Sequence, residues 1–167
     1  KEKVTQRDIA TMMIGKEVIF DIKKNPLKTG KEVLKVEHLE GYNDRGIKTL
    51  RGVDFTIYSG EIFGIAGVTG NGQDELAEIL MSLRKASKGK IYIENYEITN
   101  SQPSTIIKKR VSYIPADRLK VGLVPNFPSI KNLILKSFNK KPISQGVILN
   151  YYRAKKYANR LIEEFNI

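Results

Sequence analysis

The stretch Gly64-Ile65-Ala66-Gly67-Val68-Thr69-Gly70-Asn71-Gly72-Gln73-Asp74-Glu75-Leu76 constrains the chain more than any other. It opens on apolar residues that read as a buried strand over 61–66, passes through a glycine-rich turn and enters a helix. In that helix Leu76, Ile79, Leu80 and Leu83 recur at i, i+3, i+4 and i+7, the spacing of one apolar stripe. Strand, glycine turn and helix N-terminus together make an anion site. Glycines let backbone N–H groups curl inward, and the first helical amides carry partial positive charge. Gly67 to Asp74 has the spacing of a phosphate-binding loop, Gly-x-x-x-x-Gly-Lys-Ser/Thr, with two exceptions. Gln73 stands where the lysine belongs, and Asp74 where the magnesium-binding hydroxyl belongs. A lysine would give phosphate a charge-assisted bond of about 1.5–3 kcal/mol, whereas Gln73 offers a neutral amide. Asp74 can ligate magnesium weakly, yet it repels the anion the loop would hold. Taken alone, the glycines fit either a weakened phosphate cradle or a tight strand-to-helix turn.

The chain is 167 residues long and 41% hydrophobic, enough for one domain with a sizeable core. It has no cysteine, so neither a disulfide framework nor a thiolate metal site is available. Its single histidine, His38, falls in an alternating segment and reads as a strand residue. No apolar run approaches the roughly 18 residues of a transmembrane helix, and no secretory signal opens the sequence. The expectation is a cytosolic location or the cytosolic face of a membrane assembly. A net charge of +11 raises nucleic acid as a partner. The lysines, however, are scattered in pairs such as Lys23-Lys24, Lys108-Lys109, Lys140-Lys141 and Lys155-Lys156, the pattern of a solvated surface, so no specific nucleic-acid partner is expected.

In chain order, 1–15 reads as a short helix with a capping box from Thr5 to Asp8, a stripe of Ile9, Met12 and Met13, and Gly15 as its stop. An apolar run over 18–22 and a polar connector over 23–32 follow. Strands are expected over 33–39, 50–57, 61–66, 90–94 and 111–114, with a turn at 43–46. Short helices are expected over 103–110, begun by Ser101, and over 129–137 on Ile130, Leu133 and Ile134. Asn150 is the expected N-cap of a closing helix whose face is Ala154, Tyr157, Ala158, Leu161, Ile162 and Phe165.

These segments in this order resemble the nucleotide-binding domain of an ABC transporter. More narrowly, they look like the second, degenerate cassette of the tandem-cassette ATPase subunits of bacterial simple-sugar and nucleoside importers. Residues 9–18 are similar to the junction where a first cassette ends, and 50–55 to the strand ahead of Walker A. Residues 60–67 are similar to the Walker A strand, and Gly70-Asn71-Gly72-Gln73 to the lysine-free loop of second cassettes. Pro115-Ala116-Asp117-Arg118 with 122–125 resembles the modified Q-loop of these cassettes, with Ala116 departing from the usual glutamate.

The resemblance implies an α/β, P-loop NTPase-like fold with an antiparallel β subdomain and the start of a helical subdomain. Residues 1–32 would be helix and linker from a preceding cassette, and 33–167 the front half of a nucleotide-binding domain. The signature motif, Walker B strand and switch histidine would lie beyond residue 167, leaving the 61–66 strand short of a neighbour. Under this reading Gly67, Val68, Thr69, Gly70, Asn71, Gly72, Gln73, Asp74 and Glu75 line a degenerate ATP site, with magnesium weak or absent at Asp74. Tyr42 would either stack on adenine or be a surface tyrosine. Ala116, Asp117 and Arg118 would face the membrane subunits; Asp117 and Arg118 would alternatively form an ion pair ending a strand. Implied partners are a second cassette, transmembrane permease subunits and, indirectly, a solute-binding protein, at the cytoplasmic face of the membrane. The whole subunit would be an ATPase, with no catalytic residue in this stretch. The rival is a non-catalytic interaction domain that keeps the fold without nucleotide.

Overall fold

The computed structural model describes residues 4–15 and 28–166, so the expected strand over 18–22 and the first part of the connector lie outside the described residues. Helix α1 spans Gln6–Ile14. The Thr5 side chain accepts from the Asp8 amide, the Asp8 carboxylate accepts from the Thr5 amide, and Gly15 ends the helix at φ +71°.

A four-stranded antiparallel sheet is the larger of two sheets. Strands β1 (Glu32–Tyr42) and β2 (Lys48–Tyr58) make a long hairpin. Strand β3 (Lys88–Ile93) pairs with β1, and the two-residue β4 (Tyr96–Glu97) pairs with β3, in the order β2-β1-β3-β4. The hairpin turn is made by Asn43, whose side-chain oxygen accepts from the amides of Arg45 and Ile47. Glu94 falls in the β3–β4 turn and not in the strand.

A bulge sets which side chains face the core. His38 has φ +46°, and the β1 register shifts on both sides of it. The extra residue lets Val36 and Leu39, an odd spacing that would alternate in a plain strand, both point inward at 2% and 0% exposure. The His38 amide donates to Asp54 Oδ1 at 2.7 Å, and its ring nitrogen meets Asp54 Oδ2 at 3.1 Å. On the other side Gly89, at φ +90°, comes so close to the Glu37 and His38 carbonyls that a Cβ would lie 2.5 Å from both oxygens. His38 is therefore a bulge residue clasped to β2.

Helix α2 (Gln73–Leu80) lays Leu76 and Ile79 on the sheet, where they join Leu50, Ile91, Ile98 and Ile106 in the main core. The helix stops one turn earlier than its apolar stripe suggests. Met81 stays in the core, but Leu83 is exposed. Helix α3 (Pro103–Lys108) is begun by Gln102 and Pro103, with no cap from Ser101. Helix α4 (Ser129–Ile134) is shorter than expected. A small hairpin of β5 (Ser144–Gln145) and β6 (Ile148–Leu149), without a clear signal in the sequence, leads into α5 (Tyr151–Phe165). Asn150 caps α5 as expected, accepting from the Arg153 amide at 3.0 Å. Ile134, Ile143 and Ala154, with Tyr157 against them, make a second small core.

Two expected strands do not form. Residues 61–66 and 111–114 have no regular structure, and Ile62, Ile65 and Ile114 are exposed. An apolar strand of the parallel, buried kind holds its shape through neighbours on either side. Among the described residues neither stretch has a ladder partner, whereas the antiparallel strands pair with one another. Phe63 stacks on Phe55 of β2 at 5.1 Å between ring centres, which ties the first stretch to the sheet.

Candidate functional site

The glycine loop is held between β2 and α2. The Asn71 amide donates to the Val68 carbonyl at 3.1 Å and closes the turn. Gly70 and Gly72 have φ +87° and +100°, conformations that favour glycine. Gly72 is the N-cap of α2 and packs against the Thr49 carbonyl and the Leu50 side chain, so the loop is anchored on the strand hairpin. No side chain caps α2, which leaves its first amides available to an acceptor. The backbone here has the form that a phosphate cradle would need.

The side chains oppose it. Gln73 turns back over the loop and donates from Nε2 to the Val68 carbonyl at 3.2 Å. A Cβ on Gly67 would collide with that same amide nitrogen, so Gln73 occupies the space directly above Gly67. Asp74 and Glu75 place two carboxylates in the first turn of α2. They suit the helix dipole and repel an anionic ligand. The Tyr113 phenol is raised above its ordinary value by burial first, then by the fields of Glu78 and Asp74. Among the described residues no group of three or more His, Cys, Asp or Glu could hold a metal ion, so magnesium here would rest on Asp74 together with phosphate oxygens and water. Val68 and Thr69 are exposed at the lip of the loop.

Tyr42 is placed differently. It ends β1 with an exposed ring, and its carbonyl accepts from Arg84 Nη1 at 3.1 Å. Arg84 also bonds Glu78 Oε2 at 2.7 Å and Asp44 Oδ1 at 2.8 Å, so Tyr42 belongs to a clamp at the C-terminal end of α2. Nothing in the sequence marks Arg84 as this hub.

Ala116, Asp117 and Arg118 lie exposed at the start of a π-helical turn, Arg118–Gly122. Asp117 accepts from the Lys120 amide at 3.0 Å and pairs with the Lys120 ammonium at 3.6 Å, instead of pairing with Arg118. Beside the turn is a half-open cavity of about 470 Å³ whose walls include Ile107, Tyr113, Pro115 and Leu123. The three residues are thus presented outward, next to an apolar recess and apart from the glycine loop.

Comparison with known proteins gives the family. The family model described as ABC transporter matches residues 50–166. The chain is 37% identical over 164 residues to a glucose import ATP-binding protein of Haloferax volcanii, covering 98% of this chain and 30% of that protein. It is 40% identical over 162 residues to the guanosine import ATP-binding protein NupO of Bacillus subtilis, covering 97% of this chain and 32% of that one. The chain thus spans about a third of the length of these curated relatives. A nucleotide-free ATP-binding cassette from an ABC transporter superposes with a TM-score of 0.58 at 23% identity, over 80% of this chain and 53% of that chain. No helix among the described residues is long and apolar enough to cross a membrane. The chain belongs to the ABC transporter family, as part of its ATP-binding domain.

Proposed function

We propose that this chain is part of the ATP-binding subunit of an importer for nucleosides or simple sugars, and that its own phosphate loop is a degenerate, weak ATP site. The Gln73 amide folded onto the Val68 carbonyl carries the reading. It fills the cradle that a lysine would share with phosphate, while the helix amides behind it remain free of any side-chain cap. Loss of the lysine's charge-assisted bond weakens nucleotide binding by about one to two powers of ten. The names of the relatives, a glucose import and a guanosine import ATP-binding protein, support the solute class.

In this reading residues 1–32 close a preceding cassette and 33–167 open the second one. The first cassette supplies the lysine-bearing loop and most of the hydrolysis. Ala116, Asp117 and Arg118 face the permease subunits at the cytoplasmic side of the membrane, and a solute-binding protein delivers cargo from outside. Tyr42 lends its backbone carbonyl to the clamp at the end of α2, which leaves its exposed ring open to adenine or to solvent.

Asp74 and Glu75 in the first turn favour one rival, an interaction domain that binds no nucleotide at all. Calorimetric titration of the full chain with ATP and Mg²⁺ decides between them. Weak saturable binding that rises about tenfold or more in Gln73→Lys is the expected result. No saturation at millimolar nucleotide in either protein leaves only the rival.

A further inference from the structure

The end of the fold around α5 carries charge that no acid among the described residues balances. In and beside the sheet, lysines are matched to carboxylates: Lys31 to Glu94, Lys48 to Glu40 and Lys90 to Glu97. On α5, Arg153, Lys155, Lys156 and Arg160 line an open groove of about 950 Å³ with Glu163 as its one carboxylate. Glu164 follows on the same helix, and Lys140 and Lys141 lie exposed just before the β5–β6 hairpin. Among the described residues none of the four α5 cations pairs with an acid. Arg153 reaches the Pro142 carbonyl at 3.5 Å, and Arg160 lies over the Tyr157 ring.

The hairpin that feeds this helix adds a second, independent feature. Ser144 Oγ donates to the Gly146 carbonyl at 3.0 Å and ties the turn, and Gly146 adopts φ +65°. The tied turn leaves Val147 fully exposed and Ile148 73% exposed, outside both cores. Tyr151 and Tyr152, at the start of α5, are exposed as well.

We propose that the β5–β6 tip and the basic side of α5 form a contact surface for an anionic phospholipid bilayer. Unpaired cations are attracted to an anionic leaflet, tyrosines settle at headgroup level, and a short aliphatic tip adds apolar burial to the electrostatic term. The aliphatic tip favours lipid over nucleic acid, which offers Val147 and Ile148 nothing to bury against. This surface is separate from the glycine loop, and its assignment does not depend on whether that loop binds ATP.

Sedimentation of the full chain with vesicles tests it. The chain is expected to bind phosphatidylglycerol-containing vesicles and not pure phosphatidylcholine ones. The double variant Lys155→Gln, Lys156→Gln should bind about thirtyfold more weakly, taking the usual contribution of each cation near an anionic surface. The protein has no tryptophan, so Val147→Trp gives a single reporter in the otherwise unchanged chain. Its emission should shift to the blue on anionic vesicles and be quenched by brominated acyl chains. Equal binding to both vesicle types, no binding to either, or an unshifted reporter in the bound chain overturns the proposal. So does duplex nucleic acid that strips the chain from vesicles at equal charge concentration, which would mark a general polyanion surface.

Discussion

The Gln73 side-chain amide donates to the Val68 carbonyl five residues earlier, at 3.2 Å, so the loop is closed by one of its own residues. A loop with a lysine at this position would hold its shape around a phosphate. Here the shape is held without one, and the residue that holds it also lies directly over Gly67. Both effects come from the same side chain.

Gly67→Ala tests that closure without touching the helix. The added Cβ meets only the far end of the Gln73 side chain, which is flexible and can swing away. The expected loss of stability is under about 1 kcal/mol, the worth of one exposed neutral hydrogen bond. The same substitution in a Gln73→Ala background should cost nothing further. Urea unfolding of the two single variants and the double variant closes the cycle.

Gly89→Ala should behave in the opposite way. At φ +90° an alanine is strained, and its Cβ would sit 2.5 Å from two backbone carbonyls that cannot move without opening the bulge. A loss of about 3 kcal/mol or more is expected. Gly46→Ala, also at positive φ but with open space around it, should lose only about 1–2 kcal/mol. Denaturant midpoints of the two variants give the comparison, and equal losses would mean that the bulge is not rigid.

The bulge also shows how far the sequence could be read. Alternation places 33–39 in a strand, and it did form, but period-two alternation has no place for an extra residue. His38 and Gly89 are far apart in the chain, and only the folded sheet shows that one needs the other. The caps at Thr5 and Asn150 were legible because their partners lie three residues away. The stretches 61–66 and 111–114 have the composition of buried strands, yet strand formation is a property of pairs, and they have no ladder partners among the described residues. At the site, the missing lysine was plain from spacing. Where the Gln73 amide would go, and that Arg84 would hold Tyr42, depended on side-chain directions that spacing does not carry.

Arg84→Met removes the clamp joining α2 to the hairpin turn. Its guanidinium makes three bonds at once, to Glu78, Asp44 and the Tyr42 carbonyl. Asp44 is largely exposed, so that arm adds little, and the loss should be about 1–2 kcal/mol. Arg84→Lys should recover less than half, because an ammonium on a flexible stem cannot reproduce the planar fork. Chemical denaturation of both variants measures it; full recovery by lysine would mean that charge alone matters.

The acid limb of the stability curve should depend on Glu40. Its carboxylate accepts from Lys48 Nζ at 2.7 Å, with Lys88 Nζ at 3.9 Å. The Lys48 hydrogen bond, opposed by desolvation and helped by the charges of Lys48 and Lys88, holds its pKa below the ordinary glutamate value. A lowered folded pKa means that the unfolded chain binds the proton first as pH falls. The contribution is therefore complete above the ordinary glutamate range, about pH 4.3, and is lost as pH drops through the folded value. Glu40→Gln should lower stability at neutral pH and flatten the decline on the acid side. Lys48→Met should do nearly the same, since its hydrogen bond is the largest cause, whereas Lys88→Met should leave most of the acid limb in place. Melting temperatures of the four proteins between neutral pH and pH 3 give the test, and an acid limb unchanged in Lys48→Met would refute the pairing.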